Sequence, residues 1–452
     1  MPALTRTARR ALPPGVWPSP AAASLVTATR WASMVLERFR RGGRQVSVDS
    51  PPRGGDGEPY CSVLDAGGAA IKALVVDVSS RPPAVLGAAI KRTPSQVTPA
   101  FEGLVAAAEQ ALIAAEDAAG VVPRRAVLGV PAPVPAVGLG KITLHRARPA
   151  APLTPEEVKR GLDQARSAAL TAAHRVAEAE YAAPPVLDIL STDVRALAVD
   201  GRAVASSDDL VGMPGQNLDI SLAVSLARRT DVQHLRRLAE ALDLNIAGFV
   251  GMPAALAGTL RPAAGPASRA AIVDAGAGAT TAILAGPDGP EGSISFPLGS
   301  ADLEWQVRRE LQLDPEGAYE AIRAHAAGAG HRGAGGSHAS RVVRRLAVRH
   351  AELWSEALEL ALAALARGRE LPAELWLCGG GARLPELRTA LGKQGWGATL
   401  PFPCPPAVRL LTPAEVAGIE DQVSTIPALQ AVPPLSLAAA AVTILRHSSL
   451  TP

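Results

Sequence analysis

The sequence predicts an α/β protein of two similar lobes, with a smaller α+β unit inserted into the first. Three observations carry this. A short apolar strand ending in an acid, then a glycine turn and a returning strand, occurs twice, at Asp65 and again at Asp274. A later apolar strand runs into a turn in each half, Gly129-Val130-Pro131-Ala132 in the first and Gly379-Gly380-Gly381-Ala382 in the second. Between the two halves, residues 133–229 change texture to strands around one long helix.

Composition sets the outer limits. A chain of 452 residues, 48% hydrophobic and 19% charged, is long enough for two to four domains with a sizeable core. The net charge of +3 comes from mixed acids and bases and gives no reason to expect nucleic acid as a partner. Aromatic residues, at 3%, are too few for base-stacking platforms. Cys61, Cys378 and Cys404 are odd in number and lack metal-ligand spacing, which suits a reducing compartment. His325, His331 and His338 share a glycine-rich stretch with no thiolate or acid among them, a poor zinc set. No apolar run approaches a membrane span and no signal-peptide pattern appears, so a cytoplasmic location is the expectation.

Residues 1–58 read as a basic extension, mostly disordered. Residues 28–41 fit a helix with Trp31, Val35 and Phe39 on one face and Arg30, Arg40 and Arg41 opposite, a pattern suited to an anionic membrane surface. A disordered tail or a transit peptide fits the same composition. Residues 51–59, rich in proline and glycine, read as a linker.

The first lobe begins in residues 59–132. Residues 61–64 and 73–78 are the arms of a hairpin whose turn holds Asp65, Gly67, Gly68 and Lys72. Glycine backbone lets N–H groups approach an anion, and Lys72 reaches a phosphate as a point charge. A strand at 85–89, a helix at 98–119 and a strand at 126–130 complete half of a ribonuclease-H-like lobe.

The inserted unit spans 133–229. It should hold strands at 142–145, 186–190, 194–199 and 218–226, and a helix from Pro155 to about residue 173 with Thr154 as N-cap. The first lobe resumes over 230–268, with a core-packing helix at 230–242.

The second lobe, 269–405, opens on the second hairpin. Asp274 precedes Gly276 and Gly278, and Thr280 and Thr281 add hydroxyl donors. An acid so placed cannot touch a phosphate directly but suits the water shell of Mg²⁺. A strand at 294–298 and helices at 301–313 and 341–367 follow, with residues 314–317 leading into 318–323 and a glycine-alanine loop at 326–340. The strand 374–378 then enters Gly379-Gly380-Gly381-Ala382 at a helix start, a cradle for sugar or phosphate. Residues 406–452 return to the core, and the apolar helix at 427–445 is alanine-rich and short for a membrane anchor.

Taken in order, Asp65…Lys72, Asp274…Thr281 and Gly379–Ala382 resemble the phosphate-1, phosphate-2 and adenosine motifs of the actin, Hsp70 and sugar-kinase superfamily. Within it the chain resembles FtsA, the bacterial cell-division family, whose SHS2-type 1C subdomain sits where residues 133–229 fall. The run from Asp208 to Leu218, the Met252-Pro253-Ala254-Ala255 segment, Phe296-Pro297-Leu298-Gly299 and Glu320…Arg323 are similar to that family's motifs. The spacing of Lys72 from Asp65 and the short segment between Arg323 and Arg341 resemble PilM, the pilus-assembly relative.

The resemblance implies a two-lobed ATPase fold binding ATP and Mg²⁺. Asp65 and Asp274 would hold the metal through water, Lys72 and the glycine turns the phosphates, and Gly379–Ala382 the adenosine, with Glu320 and Arg323 as further nucleotide-binding positions. For the FtsA type it implies self-association, a tubulin-like division protein as partner and the inner face of the cell membrane as location. For the PilM type it implies a short peptide from an inner-membrane partner. A small-molecule kinase of the same superfamily is the remaining reading. Residues 128–132 offer no acid or glutamine to orient a water, and Ala282 stands where relatives often carry an acid, so slow hydrolysis is expected.

Overall fold

The computed structural model describes residues 59–93, 101–131, 136–180, 186–260, 269–287, 289–328 and 338–448. The basic extension with its 28–41 helix, Ala132, His331 and most of the glycine-alanine loop lie outside the described residues.

Two sheets of the same design form the lobes. In the first, β1 (Tyr60–Ala66), β2 (Ala70–Asp77) and β3 (Ala84–Arg92) run as an antiparallel meander, and β4 (Arg125–Val130) and β9 (Asn245–Gly251) add parallel to β1. In the second, β10 (Ala270–Ala275), β11 (Thr280–Gly286) and β12 (Gly289–Phe296) repeat the meander, and β13 (Glu374–Cys378) and β14 (Ala407–Leu410) add parallel to β10. The strand orders are β15-β3-β2-β1-β4-β9 and β12-β11-β10-β13-β14, with β15 (Glu420–Asp421) closing the edge of the first sheet. The second sheet therefore continues past residue 405, where the sequence reading ended that lobe.

Burial follows the strand period. In β10, Ala271, Val273 and Ala275 face the outer helices, while Ala270 and Ile272 face the other lobe. The outer layer of the first lobe is α1 (Phe101–Ala119) and α3 (Arg229–Ala241). That of the second is α5 (Ser300–Leu311), α6 (Pro315–Ala326), α7 (His338–Ala366) and α8 (Pro385–Leu391). Between the sheets lie α4 (Met252–Thr259) and α9 (Ala428–Ser448), whose Ala255, Leu256, Val432, Leu437 and Ala438 share one core with Ile272 and Ile283.

By length and composition, residues 428–446 of α9 are long and apolar enough to cross a bilayer, more so than the sequence reading allowed. Two-thirds of that stretch is buried inside the protein, which is how a core helix passes the same test.

The inserted unit is an antiparallel sheet of order β5-β8-β6-β7, formed by β5 (Ala136–His145), β6 (Leu187–Val199), β7 (Arg202–Val204) and β8 (Asn217–Arg228). One face is covered by α2 (Pro155–Glu180). That helix starts on a capping box, Glu157 N–H donating to Thr154 Oγ1 and Thr154 N–H to Glu157 Oε2. The two strands read at 186–190 and 194–199 are one. Ser191, Thr192 and Asp193 break the apolar pattern but stay paired with β8, and register shifts on either side absorb the irregularity.

Candidate functional site

The parallel strands of both sheets end at one cleft between the lobes, where ligands of open α/β sheets usually lie. The cleft has a volume of about 640 Å³ and is lined by both glycine turns, the ends of β1 and β10, Gly379 and Gly380 just after β13, and residues of α5, α6 and α9. That is within the range of nucleotide-sized pockets.

The repeated strand design places the acids in equivalent positions. Asp65 pairs across the hairpin with Lys72, and Asp274 with Thr281. Lys72 Nζ donates to Asp65 Oδ2 at 2.7 Å, and both side chains are largely buried. Burial pulls the Lys72 ammonium down, but the charge and hydrogen bond of Asp65, with Asp274 and Cys378 adding to them, leave the lysine above its usual value. Asp274 is raised to about 6, chiefly by burial, with Lys72 opposing the shift and Asp65 adding to it. The floor of the cleft thus holds two acids and one cation.

The turns face each other across the cleft. A Cβ built on Gly68 would stand 3.8 Å from Gly278 N, while one on Gly278 would meet nothing within 4 Å. The second turn is held from behind by the start of α5: Ser300 N–H donates to Gly276 O at 3.1 Å and Ala301 N–H to Ala277 O at 2.9 Å. With those carbonyls directed at the helix, the turn's opposite side is left for an anion. The approach requires glycine at 299, where a Cβ would lie 2.1 Å from Ala277 O. The third turn begins at Gly379, with φ of +85°, where a Cβ would lie 2.3 Å from Asp274 Oδ1.

Asp65, Gly67, Gly68, Lys72, Asp274, Gly276, Gly278, Thr281, Arg323, Gly379 and Gly380 all line the cleft. Four expected residues do not. Thr280 is fully buried on the opposite face of β11, where its hydroxyl donates to Leu298 O and accepts from Trp354 Nε1, each at 2.8 Å. Strand alternation sends only Thr281 inward, and Thr281 and Ser295 share a hydroxyl hydrogen bond of 2.9 Å. Glu320 is half exposed and accepts from Arg323, a pairing that holds its carboxyl below the usual range. Gly381 and Ala382 are buried in a short helical turn under the third loop.

Ala282 also faces the outer core, fully buried with Val273 and Leu284. Its identity therefore does not bear on orienting a water in the cleft. His325 is drawn away to Glu386, 2.7 Å from Nε2 to Oε1.

Sequence reasoning missed Arg92, Ser295, Glu304, Tyr319 and Gln430, all of which line the cleft. Tyr319 carried a weak signal, one position before Glu320, itself an expected nucleotide-binding residue. Gln430 carried none. It reaches Gly380 from α9, and Gly379 N–H donates to Leu429 O at 2.9 Å, a contact between distant parts of the chain.

For a hydrated Mg²⁺, Asp274 fits: it is a hard oxygen donor at the cleft floor, and the metal's charge favours its ionised form. Asp65 is engaged by Lys72 in this structure. Among the described residues no group of three or more His, Cys, Asp or Glu is placed to bind a metal directly.

The chain is thus a two-lobed α/β protein whose lobes pack on α4 and α9, with the cleft at their strand ends. Among solved structures, the chain is similar to a PilM–PilN type IV pilus biogenesis complex, with a TM-score of 0.52 at 19% identity, covering 87% of this chain and 99% of that one. It is also similar to the ethanolamine utilization protein EutJ from Carboxydothermus hydrogenoformans (TM-score 0.44, 15% identity, 90% of this chain and 98% of that one). A glycerol dehydratase reactivase gives a TM-score of 0.41 at 13% identity, over 85% of this chain and all of that one (100%). At these identities the likeness is one of fold alone, and nothing in it is specific to FtsA. No protein-family model and no curated protein matches the sequence.

Proposed function

We propose that this protein is a nucleotide-binding scaffold of the PilM kind, which holds Mg–ATP between its lobes and acts through a protein partner. The observation that carries the reading is the cleft floor: a buried Asp65–Lys72 pair and Asp274, facing two opposed glycine turns. Lys72 and the N–H groups of Gly68 and Gly278 would take the phosphates, Asp274 the waters of Mg²⁺, and Tyr319, Arg323 and Gly379–Gly380 the nucleoside. Bound Mg²⁺ would supply charge neutralisation between the phosphates and Asp274. Pro131, where the connecting segment reaches the cleft, brings no group able to orient a water. Binding with slow hydrolysis is the behaviour this favours.

The pilus-assembly reading takes precedence over the division-ring reading because the likeness at a TM-score of 0.52 is to a PilM–PilN complex. The FtsA reading, with a tubulin-like partner, self-association and the inner membrane face as location, rests on motif order and the inserted unit. Contact of residues 28–41 with membrane belongs to either reading, and a chain lacking 1–58 that still floats with anionic vesicles would remove it.

Calorimetric titration of the full chain with Mg–ATP tests the site. Wild type should bind, and Lys72→Ala and Asp274→Ala should lose most of that binding; unchanged binding by both would overturn the site. Turnover on the order of 1–100 per second would overturn the scaffold role. Nucleotide-dependent capture of an inner-membrane pilus peptide favours the first reading, and capture of the tubulin-like division protein favours the second.

A further inference from the structure

Arg92 ends β3 in the first lobe and reaches across the cleft to the second. Its Nη1 donates to Glu316 Oε2 at 2.6 Å, its Nη2 lies 3.5 Å from Glu304 Oε2, and its guanidinium carbon stands 3.7 Å from the centre of the Tyr319 ring. Glu304 belongs to α5, and Glu316 and Tyr319 to α6. Arg92, Glu304 and Tyr319 all line the cleft.

Each end of this contact is wired to a glycine turn. Thr93, the next residue after Arg92, donates its N–H to Ala69 O at 3.0 Å and its hydroxyl to Gly68 O at 3.1 Å. On the other side, the first N–H groups of α5 hold the carbonyls of Gly276 and Ala277, and Glu304 lies one helical turn further along. Displacement of either turn therefore carries one half of the contact with it.

We propose that Arg92 is a release latch: its contact with Glu304, Glu316 and Tyr319 holds the lobes together, and its opening lets nucleotide leave. This rests on the nucleotide reading above. A ligand that bridges both turns binds the closed arrangement better, and only such a difference in affinity shifts a conformational equilibrium. By linkage, the closed latch retains the ligand. The contacts are individually modest, since the Glu316 side chain is 68% exposed and a solvated ion pair or cation–π contact adds little. The latch closes without locking.

The test uses the full chain, a fluorescent ATP analogue chased with unlabelled Mg–ATP, and hydrogen exchange of the two turns without nucleotide. Arg92→Ala should release the analogue about tenfold faster, with association unchanged. It should also raise exchange in both 67–70 and 276–279. The double variant Glu304→Gln with Glu316→Gln should act in the same direction from the other lobe, and it carries the test if Arg92→Ala fails to fold. Arg92→Lys, which keeps the charge and loses the planar stack, should fall between. Slower association with unchanged release would make Arg92 a charge-steering residue and overturn the latch. So would unchanged release and exchange. If wild type binds no analogue, the nucleotide reading and the release role fall together, and exchange alone decides whether Arg92 clamps the lobes.

Discussion

Asp274→Asn should stabilise the nucleotide-free protein, by an amount that grows with pH. Burial raises the Asp274 carboxyl from 3.8 to about 6. The folded state therefore holds this proton more tightly than the unfolded chain does. That contribution to stability is full below pH 3.8 and is lost as pH rises to about 6. At about 1.4 kcal/mol per unit, the shift corresponds to a cost of about 3 kcal/mol for keeping the ionised carboxylate buried at neutral pH. The same relation gives a cost of roughly 1.6 kcal/mol at pH 5 and the full amount at pH 8. Asparagine has nearly the same shape and no charge, so the advantage of the variant should be about 1.4 kcal/mol larger at pH 8 than at pH 5. Urea denaturation of both proteins at the two pH values, without Mg²⁺ or nucleotide, measures this; titrations common to both cancel in the difference. A difference that does not change with pH, or one that moves toward the wild type at pH 8, would refute the reasoning. The same variant should bind Mg–ATP more weakly, as expected of a site that holds a charge at the expense of stability.

Two further substitutions probe the geometry. Gly379→Ala places a Cβ 2.3 Å from Asp274 Oδ1 and 2.6 Å from Ala275 O at a φ of +85°, so it should lower the melting temperature at a cost of about 1–3 kcal/mol and weaken nucleotide binding. Ala282→Asp buries an unpaired carboxylate in the outer core and should destabilise by about 3–5 kcal/mol in denaturant without raising hydrolysis; faster turnover in a stable variant would mean that residue 282 reaches the cleft after all.

Much of the site was legible because its signals are local. An apolar run, an acid and a glycine turn encode a hairpin within about a dozen residues, and the second copy reinforced the first. The same local pattern failed on the threonines. Both Thr280 and Thr281 are donors by type, but β11 pairs in a register that turns Thr281 toward the cleft and Thr280 toward Trp354. A one-residue choice of face depends on which side the rest of the lobe packs. Ala282 was misread for the same reason. Glu320 and Arg323 pair with each other, and of the two only Arg323 lines the cleft.

By itself the sequence determined the two strand–acid–turn hairpins, the third glycine turn and the inserted α+β unit, all properties of short segments with their own backbone preferences. Tertiary structure alone decided that α9 is a core helix and that Gln430 meets Gly380. It also brought Arg92 onto Glu316, 224 residues away. Such contacts form only when the two lobes close on α4 and α9, and no local pattern in the chain encodes that closure.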